Sequence, residues 1–84
     1  MMNDFPPRHI VESLKKRYPR FTRVELVSMN DKNAPPEGTQ GEVLAVDDIG
    51  TIHVAWDTGS LLGVVYGEDK VRIVGKKDNN AEWV

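Results

Sequence analysis

The sequence predicts a mainly β domain, a small five-stranded antiparallel barrel with one N-terminal α-helix. Three observations carry that reading. Apolar residues recur at helical spacing only as far as Tyr18. From Thr22 onward, short alternating runs are separated by clusters of Gly, Pro, Asp and Asn, the pattern of strands joined at tight corners. The chain has 84 residues and no cysteine. A chain that short has a thin core, and without cysteine no disulfide or thiolate zinc site staples it. Close-packed strands, a docked helix or self-association must supply the stability.

Residues 1–84 read as a single domain, with a helix over 6–18, a barrel over 22–74 and a polar, flexible tail over 75–84. Pro6 and Pro7 suit a first helical turn, where a missing N–H costs nothing, and Asp4 lies where an acid meets the positive helix end. Ile10, Val11, Leu14 and Tyr18 form one apolar stripe. Lys15, Lys16 and Arg17 complement the negative helix end, and Pro19 pushes Tyr18 out of the α region. A lone helix of about a dozen residues is marginal in water, so the stripe must dock.

The predicted strands are Thr22–Met29, Gly41–Val46, Thr51–Trp56, Ser60–Val65 and Lys70–Val74. The loop "NDKNAPPEGTQ" carries two prolines and a glycine that forbid regular structure. "DDIG" reads as a hairpin corner with Gly50 at positive φ and Asp47 or Asp48 accepting loop N–H groups. "DTGS" repeats that chemistry at Gly59. In "TIHVAW", Ile52, Val54 and Trp56 share the core face and His53 points outward.

Charge is divided along the chain. Residues 1–23 balance at +4 and residues 24–75 at −6, within a net charge of −2. Mutual attraction of head and body is one explanation, and a basic face kept for an anionic partner is the other.

Catalytic chemistry finds little support. His53 with Asp47, Asp48 or Asp57 is the nearest approach to an acid–base set, yet a lone histidine on a strand face reads as solvated. His9 and His53 have no metal-ligand spacing, the turn carboxylates lack the periodicity of a calcium loop, and "GTQG" lacks the Lys-Ser/Thr of a phosphate loop. The expectation is a protein that is not an enzyme and has no metal or cofactor. The start "MMNDFPPRH" has no apolar leader segment and no apolar run approaches a membrane span, so the expected location is cytoplasmic with no membrane partner.

Four motifs together are distinctive: YP-x-x-x-RV at Tyr18–Val24, PP-x-G at Pro35–Gly38, VDD-x-G at Val46–Gly50 and WD-x-G-S at Trp56–Ser60. Over Phe5–Val74 the chain resembles the small bacterial and phage family known as domain of unknown function 4314. The resemblance implies an SH3-like barrel behind an N-terminal helix, and it brings no activity with it. It also marks two departures, because the Phe21 position is more often glycine there and the Thr58 position more often asparagine.

The functional expectation is a non-catalytic module that binds an unidentified protein or peptide. Its groove would be lined by Met29, Asn30, Asp31, Pro35, Pro36, Asp57 and Tyr66, acids beside an aromatic that suit a basic or proline-containing segment. The alternative is a nucleic-acid or nucleoprotein accessory domain, with Lys15, Lys16, Arg17 and Arg20 as an anion-binding cluster near Tyr18 and Phe21. An isoelectric point near 5.6 weighs against that alternative. Self-association is compatible with either.

Overall fold

The computed structural model describes residues 5–75. One helix, α1 (Arg8–Arg17), precedes five strands: β1 (Arg23–Ser28), β2 (Gln40–Val46), β3 (Thr51–Trp56), β4 (Val64–Val65) and β5 (Lys70–Gly75). They form one antiparallel sheet in the order β4-β3-β2-β1-β5. The fold is mainly β, as predicted. Asp4 and the expected tail beyond Gly75 lie outside the described residues.

The helix starts two residues later than expected, at Arg8 rather than residue 6. Pro7 occupies the N-cap with an extended backbone (φ −61°, ψ 159°), and its carbonyl receives the N–H groups of Ile10 and Val11. The end is as predicted: Lys15, Lys16 and Arg17 fill the last turn, and Tyr18 leaves helical geometry before Pro19. Val11, Leu14 and Tyr18 are buried, and Leu14 and Tyr18 join Val24, Leu26, Val43, Ile52, Val54, Trp56 and Val64 in one core. Full burial of such side chains stabilises by about 1.5–3 kcal/mol each, and a thin core depends on the helix to supply its share.

The predicted barrel is not closed by hydrogen bonds. Strands β4 and β5 are the two edges of the sheet; they approach each other without pairing. At that seam a side chain takes a strand donor. Asp69 Oδ2 accepts the Val65 N–H (2.9 Å) and Oδ1 accepts the Asn30 N–H (2.8 Å), so a carboxylate occupies a donor of β4.

The predicted strand Ser60–Val65 shrinks to Val64–Val65 for a related reason. Ser60 Oγ accepts the Leu62 N–H at 3.3 Å, and the Leu62 carbonyl accepts the indole N–H of Trp56 at 2.9 Å. Side chains thus satisfy backbone groups that a ladder would otherwise use.

The corners follow the sequence. The Asp47 N–H donates to the Thr51 carbonyl (3.0 Å) and the Trp56 N–H to the Ser60 carbonyl (2.9 Å), closing the two turns. Gly50 and Gly59 have φ of 85° and 98°. Among the described residues one left-handed residue is not glycine: Phe21 sits at φ 80°. Its N–H donates to the Val43 carbonyl at 2.8 Å, and the next residue, Thr22, is fully buried with its hydroxyl on the Pro19 carbonyl at 2.7 Å. Those bonds hold a backbone region that non-glycine residues avoid at a cost of about 1–2 kcal/mol.

Candidate functional site: an apolar cleft at the open seam

The unpaired edges of the sheet leave a cleft of about 520 Å³. Leu14, Ile52, Val64 and Val71 form its apolar floor, and Tyr18 closes it from the helix side. Exposed Val27 and Tyr66 stand at its rim, 43% and 47% accessible. Arg17 enters from the end of α1 and Lys70 from the start of β5. Large apolar groups at a rim of this kind offer contact area that a partner can cover.

Each element contributes for a reason visible in its residues. Pro19 ends α1 one residue after Tyr18, which fixes the Arg17–Tyr18 pair at the seam, the guanidinium 5.5 Å from the ring centroid. Alternation in β3 turns Ile52 inward. The turn between β4 and β5 is tied by the N–H groups of Glu68 and Asp69 on the Val65 carbonyl, and it presents Tyr66 outward.

A second concavity of about 530 Å³ lies among Pro6, Val11, Lys15 and Asp48. Its polar groups already have partners: Lys15 Nζ is 2.7 Å from Asp48 Oδ1, and Arg8 Nε is 3.3 Å from Glu12 Oε2. It offers less to a ligand than the apolar cleft.

The structure disperses the groove expected from sequence. Tyr66 lines the cleft, and Asn30 is brought to the same end of the sheet by its bond to Asp69. Met29 packs against the core. Asp31 caps its own turn, its Oδ1 accepting the Asn33 N–H at 2.7 Å. Pro35 is buried, and exposed Pro36 gives its carbonyl to the Thr39 N–H. Asp57 is at the far end: it binds Arg23, which pairs with Gly75, whereas Ser28 pairs with Lys70. Those five residue steps of β1 separate the two ends by about 17 Å.

The expected anion cluster divides as well. Lys15 is spent on Asp48, Arg17 lines the cleft, and Arg20 lies 4.9 Å from the Phe21 ring centroid. Lys16 is exposed.

Three acids of the body, Asp47, Asp48 and Asp57, are similarly engaged. Desolvation pushes the Asp47 carboxyl up, but hydrogen bonds from His53 and from the Thr51 and Ile49 N–H groups outweigh it and hold the group below its ordinary value. The Lys15 ammonium lowers Asp48, and the Arg23 guanidinium lowers Asp57. His53 Nε2 lies 2.8 Å from Asp47 Oδ2, so of the three His53–carboxylate pairings considered from sequence the one with Asp47 forms, on an exposed strand face, while Asp48 and Asp57 pair with Lys15 and Arg23. Its carboxylate also serves the turn, with Oδ1 accepting the N–H groups of Ile49 (3.1 Å) and Thr51 (3.0 Å). Among the described residues no three His, Asp or Glu side chains gather where they could hold a metal ion, and no buried side-chain nitrogen or oxygen lacks a partner. No helix among them is long and apolar enough to cross a membrane.

Fold and site together define a small helix-capped β module with one open apolar cleft. The family described as Domain of unknown function (DUF4314) matches residues 7–74, and the chain belongs to it. No curated protein and no solved structure matches the chain.

Sequence reasoning missed the cleft because no single motif encodes it. Its signal was the "YGED" turn, where Asp69 stands four residues after Val65 and within reach of a strand N–H.

Proposed function

We propose that this protein is a non-catalytic interaction module that holds a segment of another protein in the cleft between α1 and the open seam. The observation that carries this reading is the apolar floor of Leu14, Ile52, Val64 and Val71 beneath the exposed rim residues Val27 and Tyr66. An aromatic beside a hydrophobic pocket is the usual anchor of a protein contact. The charged side chains most suggestive of chemistry are instead occupied in turns and ion pairs.

Nucleic acid is the second reading. The stacking of Arg20 on Phe21, close to exposed Lys16, favours it, because rings and cations together bind single strands. A photo-crosslinking residue in place of Val27, at the rim beside Tyr66 and activated in living cells of the source organism, separates the two. Protein adducts that survive nuclease support the interaction module. Adducts removed by nuclease support the second reading.

A further inference from the structure

We propose that the segment held in the cleft is acidic, with a bulky apolar side chain as its anchor, an inference that rests on the interaction reading above. The body of the protein is acidic, so a basic ligand is the simplest expectation from charge alone. The local geometry points the other way.

Two cations line opposite walls of the cleft, Arg17 from the helix and Lys70 from β5, and both are exposed. Asp69 also lines it, but each of its oxygens accepts a backbone N–H, from Asn30 and from Val65. Part of its acceptor capacity is turned toward the fold. Elsewhere in the body three further acids are held in ion pairs: Asp48 with Lys15, Asp57 with Arg23, and Glu25 with Arg72 at 2.7 Å. A basic segment entering the cleft meets two cations, Arg17 and Lys70, among its lining residues against one carboxylate, Asp69, already bonded to two backbone N–H groups. An acidic one meets two donors, with Lys16 and Arg20 following along the helix end. The apolar floor has room for one large side chain, which supplies affinity while the charges supply orientation.

The test uses the full chain, labelled with ¹⁵N, and three probes. One is a twelve-residue synthetic peptide with a central Trp-Leu pair flanked by Glu and Asp. The second replaces its acids with Lys, and the third is a twelve-nucleotide oligothymidylate. The expected result is that the acidic peptide shifts the amides of Ile52, Val64, Tyr66 and Val71. The double variant Arg17→Glu, Lys70→Glu should weaken it by about tenfold, a loss equivalent to 1.4 kcal/mol, and bind the lysine peptide instead. That exchange of preference shows that the variant is folded.

Stronger binding of the lysine peptide to the unaltered protein overturns the acidic partner and leaves the interaction module standing. Shifts with oligothymidylate alone overturn both. If neither peptide shifts these amides, the acidic partner is overturned. The same holds if they move with protein concentration, which assigns the cleft to a second copy. It holds again if Trp83→Ala moves them without any probe, which assigns the cleft to the chain's own C-terminal segment.

Discussion

Arg23 grips Asp57 with two guanidinium nitrogens, Nη1 at 3.3 Å from Oδ1 and Nη2 at 2.6 Å from Oδ2, across 34 residues of chain. The contact joins the "RV" that opens β1 to the "WD" that closes β3, two of the family's motifs. The other motif residues have similar work. Gly38, Gly50 and Gly59 all take positive φ, and Asp47 ties its own turn. Much of what these motifs encode in this chain is therefore corners and their fastenings.

The Arg23–Asp57 contact should show as energetic coupling. In a cycle of Arg23→Ala, Asp57→Ala and the double variant, urea midpoints should reveal a favourable interaction that shrinks between about 0.1 M and 1 M salt, as the Debye length falls from about 10 Å to 3 Å. Both side chains are substantially exposed, 36% and 55%, so screening is expected to be strong. Additive single effects at low salt would contradict the structure.

Stability should also fall in acid through Asp47, Asp48 and Asp57. Each has a folded-state pKa below the ordinary value of 3.8. A depressed carboxyl stabilises the fold above its unfolded pKa, and that contribution is lost as pH falls through the lower native value. The melting temperature should therefore decline below about pH 4. A combined Asp47→Asn, Asp57→Asn variant should start lower at pH 7 and decline less. Parallel curves for both proteins would show that these groups carry no such linkage.

Gly50 and Gly59 share a left-handed backbone but differ in surroundings. A Cβ on Gly50 would lie 2.7 Å from Pro6 Cγ, whereas one on Gly59 meets nothing within 4 Å. Gly59→Ala should cost about 1–2 kcal/mol from backbone strain alone. Gly50→Ala should cost more, because the segment entering α1 must shift. Equal losses on thermal melting would remove the Pro6 contact from the explanation.

Phe21→Gly tests a balance. It relieves a strained φ worth about 1–2 kcal/mol and forfeits the Arg20 stacking, about 0.5–1 kcal/mol, plus the buried part of the ring. The net change should stay within about 1 kcal/mol, whereas truncating Leu14 to Ala in the core should cost roughly 2–3 kcal/mol. A loss at Phe21 as large as that at Leu14 would mean that the ring, rather than the corner, is what position 21 supplies.

The sequence was most informative where one residue's neighbours settle its role. "TIHVAW" became β3 with Ile52, Val54 and Trp56 buried because alternation needs no distant partner to be recognised. The helix stripe and the Gly50 and Gly59 corners were readable for the same reason. "SLLGVV" misled because its apolar character says strand, while Ser60 Oγ and the Trp56 indole claim its backbone. The groove residues scattered because their grouping assumed a closed barrel, whereas β4 and β5 do not pair and the Val65 N–H goes to the Asp69 carboxylate. Pairings such as Glu25–Arg72 depend on register between β1 and β5, which composition does not reveal.

The most direct measurement compares Tyr66→Ser with the unaltered protein for melting temperature and for nuclease-resistant protein crosslinking in cells from a photoreactive group at Val27. Both positions are at the exposed rim of the cleft, away from the buried core. The account predicts stability changed by no more than about 0.5 kcal/mol, with a correspondingly small shift in melting temperature, and crosslinked protein largely lost. A clear drop in stability with crosslinking intact would contradict it, by making Tyr66 part of the fold and leaving the cleft without a partner to hold.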